Sequence, residues 1–362
     1  MIIISIYTSF FLIQILIYLS YMFLLNKELK NTKEKNIDLP VSIIISAKNE
    51  AENLKNFLPL VLNQKHNNFE VIVVNDNSTD ETEKILSMFF QNKLLKIINL
   101  KANEGKKNAL TFAINESKND FLVFIDADCF PASEDWLASI CGNLSEEKQI
   151  ILGFGNYQKT SGFLNNLILY DTYIIGLQYF TASILGFPYM CAGRNLAYSK
   201  KQWENVNGFE KYKNILSGDD DLFLKQAGNK NNTTISLNPQ SFTYSVPKIK
   251  FRDFIKQKNR HTSTARYYNF SGIFFSTFDI VSRSVFFILL IILICCLNKF
   301  SIFAFILLLI RCIILFLITK KLRKNFQLEL NFFKYFALDF FYPIFYLIIM
   351  ISKIFMLNND KW

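Results

Sequence analysis

Histidine is nearly missing from this chain of 362 residues: there are two, His66 and His261. The six cysteines form no CxxC pair, and Cys295, Cys296 and Cys312 lie in apolar runs. Those two scarcities argue against a zinc site and against a disulfide framework. Neither GxGxxG nor GxxxxGK[ST] occurs, which argues against a dinucleotide-binding fingerprint and excludes a P-loop NTPase. Internal repeats are absent, and the one biased linker is the Lys/Asn-rich stretch 26–38. Residues 2–25 hold no charge at all.

What is present is apolar bulk with a basic balance. Hydrophobic residues make up 51% of the chain and aromatics 16%, so disorder is excluded, while the net charge is +10. The apolar residues concentrate at the two ends. Residues 2–25 are long enough to cross a ~30 Å hydrocarbon core. They are followed by Lys27, Lys30, Lys33 and Lys35 and preceded by no cation, the reverse of a secretory signal peptide. The positive-inside rule then places the amino end outside and the following domain in the cytosol of a cell-membrane protein. A second block begins near Ile273, with spans expected at 285–297 and 300–319 around a short outer turn at Asn298-Lys299. Lys320, Lys321, Arg323 and Lys324 mark the next cytosolic loop. A last run, 335–354, contains Asp339 and Pro343, and either spans or lies at the interface as a re-entrant element. Arg311 is expected to snorkel towards the headgroups. The expected organisation is an anchor over 1–26, a globular domain over 39–268 and a membrane region over 273–356 with two or three spans.

The middle of the chain alternates short β-branched runs with helical stretches. Strands are expected at 41–46, 70–75, 96–100 and 121–125, and helices at 51–62, after Ser78 or Thr79 as a cap, and at 106–116. This is the pattern of an α/β domain with a mostly parallel sheet, in which ligands bind beyond the carboxyl ends of the strands. Asn49-Glu50, Asp76 and Asp126/Asp128 fall there.

Four groups of residues carry possible chemistry. Asp126-Ala127-Asp128, at a strand end, can hold one hard divalent cation, Mg²⁺ or Mn²⁺, which would offset charge on a diphosphate leaving group; the competing reading is a solvated loop. Ser217-Gly218-Asp219-Asp220-Asp221-Leu222 crowds three carboxylates, one of which can be tuned as a general base, and the same acids also suit a helix start. Gln257-Lys258-Asn259-Arg260-His261 can clamp phosphate through Arg260 or rest on anionic lipid. Asn103-Glu104-Gly105-Lys106-Lys107 opens a helix that can face a diphosphate or simply be solvated. Gly193-Arg194-Asn195 follows an aromatic stretch, 163–189, read as an amphipathic helix on the membrane or lining an acceptor groove.

In this order the motifs resemble glycosyltransferase family 2, inverting nucleotide-sugar transferases with a GT-A fold. The resemblance covers about 39–268. It rests on Ser46-Ala-Lys-Asn-Glu50, Asp76-Asn-Ser-Thr-Asp80, Gly105-Lys106 with Ala109-Leu110, the DxD at Asp126–Asp128, and Gly218–Leu222 with Gln257–His261. The anchors resemble those of ceramide-glucosyltransferase-like and polysaccharide-synthase-like members. The resemblance implies that Glu50 and Asp76 contact the nucleoside, that Lys106 lies near the nucleotide, and that Asp126 and Asp128 serve donor and metal. It implies Asp219 as catalytic base with Asp220 as the fallback, Arg260 and His261 near the diphosphate, and Gly193, Arg194 and Asn195 near the acceptor. Two positions depart from the family: Gly218 stands where Glu is usual, and His261 replaces the Trp of QxxRW, which counts against chain extension. The expected donor is a nucleotide sugar, with UDP favoured, and the expected acceptor a lipid or lipid-linked glycan. Nucleic acid has no support.

Overall fold

The computed structural model describes residues 2–31, 39–102, 104–215, 217–295 and 299–355. Lys33, Lys35, Asn103, Asn298 and residue 356, all used in the sequence reading, lie outside the described residues.

A long helix, Ile2–Asn31 (α1), leads into the α/β domain. The short β-branched runs become strands Val41–Ala47 (β1), Phe69–Asn75 (β2), Leu95–Asn99 (β3) and Phe121–Phe124 (β4). Helices Ala51–Leu62 (α2), Thr82–Ser87 (α3) and Lys106–Glu116 (α4) connect them. The next strands are Cys129–Pro131 (β5), Ile150–Leu152 (β6), Gly155–Tyr157 (β7), Leu196–Ser199 (β8), Thr233–Ile235 (β9) and Thr243–Ser245 (β10). The remaining helices of the domain are Trp136–Cys141 (α5), Phe163–Ile184 (α6), Lys200–Glu204 (α7), Asp221–Ala227 (α8) and Phe251–His261 (α9). The main sheet runs β3-β2-β1-β4-β8-β6-β9, with β8 antiparallel to both neighbours and the other pairs parallel. A small sheet, β5-β10-β7, stands beside it. Successive residues of β1 and β2 feed opposite faces: Ile43, Ile45, Val71 and Val73 pack on one core, and Ile44, Ile72 and Val74 on the other. Burial on both faces explains why these strands are uniformly apolar.

Four helices are long and apolar enough to cross a membrane: α1, Phe270–Cys295 (α10), Lys299–Ile318 (α11) and Phe332–Phe355 (α13), with the short basic Lys320–Asn325 (α12) before the last. α1, α10 and α11 pack on one another. Arg311 does not snorkel: it is fully buried, donating from Nε to Gln14 at 2.8 Å and from Nη1 to Asp339. Arg283 completes this polar node, 2.6 Å from Asp339, 2.8 Å from Asp279 and 2.7 Å from Tyr170 on α6. Lipid cannot satisfy such groups, so they pair inside the bundle. Asp339, which weakened the last run as a span, is thus the acceptor for two guanidinium groups.

α6 also differs from expectation. Most of its residues, including Leu167, Tyr170, Asp171, Tyr173 and Leu177, are buried between the sheet and the membrane helices, so it is a core helix and not one lying exposed on the membrane. α13 packs along α6 and α9: Tyr342 and Tyr346 donate to Asp171 at 3.1 and 3.0 Å, and Ser352 accepts from Asn259 at 2.9 Å. Its other face, with Ile344, Leu347, Met350 and Ile354, is apolar and exposed.

Candidate active site

The loops after β1 and β2 are tied into one frame. Ser78 Oγ accepts from Asn49 N at 2.9 Å, and Thr79 N donates to Asn49 Oδ1 at 2.8 Å. Thr82 Oγ1 accepts from Glu50 N and Asp80 Oδ2 from Ala51 N. Ser78 and Thr79 therefore do not cap α3, whose first residue follows Glu81 without a side-chain cap; their hydroxyls are spent on the β1 loop. Asp76 is fully buried, and its two oxygens accept from Glu104 N at 2.8 Å and Gly105 N at 3.1 Å. Gly105, at φ +80°, makes the turn into α4, a conformation that suits glycine. Asp76 in this way places the start of α4. Glu50 sits beside the acid pair of β4. Burial pushes its carboxyl up, the Asn53 amide pulls it back, and Asp128 and Asp126 add to the rise.

Lys106 is the hinge of the site. Its Nζ lies 2.9 Å from Asp126 Oδ1 and 2.9 Å from Asp219 Oδ2. Burial opposes its charge, but Asp126, Asp219 and Asp220 outweigh burial and hold the ammonium well above its usual range. Asp126 responds in kind: burial opposes the carboxylate, and Lys106, with Arg194 and Arg260, overrides it and holds the group low. Lys107 is not a solvated first-turn lysine either. It is buried, and its Nζ donates to the carbonyls of Tyr212, Ile215 and Ser217 at 2.7, 2.6 and 2.9 Å, shaping the loop that leads to the three aspartates.

Those aspartates take different environments. Asp219 faces the cleft, whose walls include Ser46, Phe124, Leu196 and Tyr198 along with Lys106 and Asp126. Burial raises Asp219, Lys106 pulls it back, and Asp220 and Asp126 push it up again, for a net rise. Asp220 is turned to structure: it accepts from Asp221 N at 2.8 Å as the cap of α8, and from Gly193 N at 2.9 Å. Burial, then the adjacent Asp221, raises it well above the ordinary range. Asp219 and Asp220 both line this cleft; Asp220 has its two oxygens engaged by backbone N–H groups, whereas Asp219 is engaged through Oδ2 by Lys106. Gly218 sits at φ +87°, and a Cβ there would come within 2.7 Å of Leu222 Cδ1. A Glu here would carry both the strain of that backbone conformation and the contact with Leu222.

Asp126, Asp128 and Cys129 have donor atoms within 4.8 Å of one another. The Cys129 thiol donates to Asp128 Oδ1 at 3.2 Å and contacts Ser245 Oγ at 2.9 Å, and burial with the nearby carboxylates keeps it protonated. The remaining donors are hard carboxylate oxygens, a set that fits Mg²⁺ or Mn²⁺ and not a thiophilic ion.

Residues 42–202 match the model of Glycosyl transferase family 2. The chain carries a family 2 glycosyltransferase domain. A poly-beta-1,6-N-acetyl-D-glucosamine synthase of Staphylococcus epidermidis is 33% identical over 88 residues, 24% of this chain and 21% of that protein. The synthase of the same name from Staphylococcus aureus (strain COL) is 29% identical over 115 residues, 30% of this chain and 28% of the relative. The match thus spans less than a third of the length of those relatives. A solved mannosyltransferase from Pyrobaculum calidifontis, in complex with GDP-Man and Mn²⁺, shares the fold with a TM-score of 0.65 and 16% identity, covering 99% of this chain and 100% of its own.

The glycosyltransferase family match ends before Asp219 and before α9, so those residues stand on geometry. Arg194 donates to Gly155 O at 2.6 Å and lies over the Tyr157 ring, 4.3 Å from its centroid. Asn195 is fully buried, holding Trp136 Nε1, Phe154 O and Ser241 O, so it braces the cleft and does not line it. Gly193 lines the cleft and donates its N–H to Asp220. On α9, Gln257 donates to Tyr157 OH at 3.2 Å, while Arg260 and His261 are exposed at its carboxyl end. Lys258 points the other way, into a buried ion pair with Asp171 at 2.8 Å. Sequence reading missed the carbonyl partners of Lys107, the pairing of Lys258 with Asp171 and the Asp279/Arg283 pair. Only the last had a local signal, opposite charges four apart on one helix face.

Proposed function

We propose that this chain is a membrane-bound inverting glycosyltransferase that moves a sugar from a nucleotide sugar, a UDP-sugar first, to a hydroxyl of a lipid or lipid-linked glycan. The observation that carries the reading is Lys106, whose Nζ is 2.9 Å from both Asp126 and Asp219 and so sets the donor acids and the candidate base in one cleft. Asp126 and Asp128 would hold Mg²⁺ or Mn²⁺, which when bound offsets charge on the departing diphosphate. Asp219 Oδ2 takes the proton of the acceptor hydroxyl. The acceptor oxygen then bonds the anomeric carbon as the bond to the diphosphate breaks, and a single displacement inverts that carbon. Lys106, with Arg260 at the end of α9, supplies positive charge on the leaving-group side, while His261, held neutral by desolvation and by the neighbouring Lys258 and Arg260, can offer that side a hydrogen bond. Glu50 and the loop set by Asp76 would face the nucleoside, and Gly193 and Arg194 the acceptor.

The domain lies on the cytosolic side of the cell membrane in this reading, since the cations after α1 and around α12 flank it. A lipid-borne acceptor follows from a cleft one short segment away from α10. A processive synthase is the alternative, favoured by the names of the curated relatives; His261 in place of Trp and a bundle this small count against it. The test is to incubate membranes holding the full chain with Mn²⁺ and radiolabelled UDP- and GDP-sugars, then extract lipids and size the products. A labelled lipid of one added sugar supports the proposal. Polymer would replace it with the synthase reading, and no transfer from any donor would leave only a nucleotide-sugar-binding protein.

A further inference from the structure

Of the three adjacent aspartates, the third has no part in the chemistry just described. Asp221 is 7% exposed and points away from the cleft. Its Oδ2 accepts from Thr264 Oγ1 at 2.7 Å and from Tyr268 OH at 2.5 Å. Both hydroxyls belong to the segment that closes the domain, the 3-10 turn Thr262–Tyr267 and the residue after it, and α10 begins at Phe270. The two stretches meet at more points. Ser217 Oγ and Ser263 Oγ are 3.0 Å apart, and Lys225 Nζ donates to Tyr267 O. Gly218 comes so close that a Cβ would stand 3.0 Å from Thr264 Cγ2.

We propose that Asp221 is the positioning residue that sets the base Asp219 against the membrane: it fastens the 217–220 loop to the root of α10. The proposal rests on the glycosyltransfer reading above. A buried carboxylate needs partners, and this one has two directional hydroxyl donors where a lysine would give a single flexible charge. Two hydrogen bonds into one oxygen fix the start of α8 in angle as well as distance. Asp219 is two residues away along the same turn, so its Oδ2 inherits that placement. A base displaced by ~1 Å loses up to ~100-fold in rate. An acceptor presented from the bilayer makes such a register necessary, because the hydroxyl's depth is set by the membrane and the base's depth by α10.

The experiment uses membranes holding the full chain, with UDP-[¹⁴C]N-acetylglucosamine and GDP-[¹⁴C]mannose as probes, and the variants Tyr268→Phe, Thr264→Val, Asp221→Asn and Asp221→Leu. With whichever donor the wild type turns over, each hydroxyl variant lowers kcat by about 3- to 10-fold at unchanged donor KM. Asp221→Leu loses about 100-fold, and adding Tyr268→Phe to it changes nothing further. Asp221→Asn, which keeps an accepting oxygen, stays within about 3-fold of wild type. Wild-type kcat in both hydroxyl variants, equal loss with Asn and Leu, or a loss expressed in donor KM overturns the proposal. If Asp221→Leu fails to accumulate, the two hydroxyl variants decide. Amide hydrogen exchange across 217–224 is read in parallel and does not depend on turnover. Faster exchange in Tyr268→Phe supports the fastening, and unchanged exchange refutes it even if the wild type uses neither probe; the transferase reading itself falls only if no nucleotide sugar of the wider panel is turned over.

Discussion

The role proposed for Asp219 depends on its neighbours more than on its own chemistry. Burial raises its carboxyl and Lys106 lowers it, so a base that works ionised gives a rate that climbs with pH through a value above the ordinary aspartate range. Removing the ammonium removes the lowering influence. Lys106→Met is therefore expected to shift the acid limb of the kcat profile to higher pH, besides weakening the donor. A limb that stays in place or moves down in pH would show that Lys106 does not bear on the base. Asp128→Ala is expected to abolish the response to added Mn²⁺ while leaving the fold intact, checked by titrating the metal in a transfer assay. Asp126, Asp128 and Asp219 stood out in the sequence because the first two follow an apolar strand and the third shortly precedes a helix. The pairing of Lys106 with Asp219 was not, because 113 positions separate them and only the crossover from α4 to the α8 loop joins them.

Among the elements, α9 shows how a motif can be read and its anchor missed. Gln257 and Arg260 were visible as a pattern, yet Lys258 between them is the residue that holds the helix, through Asp171 on α6. Lys258→Met strands a buried carboxylate and should cost about 3–5 kcal/mol, read as a fall in the melting temperature of the detergent-purified protein; Lys258→Met with Asp171→Leu should recover part of that loss. An unchanged melting temperature in the single variant would remove the pair from the account of α9. The aromatic stretch of α6 was read by its composition, which is that of a membrane-surface helix. The partners of its apolar faces away from the sheet are α1, α10 and α13, contacts no local pattern reports. The strands fared better, since β-branched runs of five to seven residues have few alternatives, whereas β5 to β10 are three or four residues long and give too little periodicity to find.

For the whole molecule, the distribution of charge foretold a domain between membrane helices, and the packing sharpens how they join. α1, α10 and α11 pack on one another, and α13 joins them through Asp339, which Arg283 of α10 and Arg311 of α11 hold, while its other contacts run along α6 and α9 of the catalytic domain. The end of α13 is held on the domain, where Ser352 accepts from Asn259 and Lys353 Nζ donates to Thr262 O at 2.9 Å. Thiol labelling of single cysteines should therefore find residues at the end of α13 on the same side as the catalytic domain and those at the start of α1 on the opposite side; opposite labelling of the α13 end would make it a fourth span. The central claim, that Asp219 activates an acceptor hydroxyl against a nucleotide sugar held at Asp126 and Asp128, is tested most directly by one comparison. Membranes with the wild-type chain and with Asp219→Asn are given the same labelled donor and Mn²⁺, and sugar transferred to extracted lipid is counted. The account predicts labelled lipid from the wild type and a fall of about 100- to 10,000-fold in kcat for Asp219→Asn, with donor KM little changed. Equal labelling by the two would contradict it.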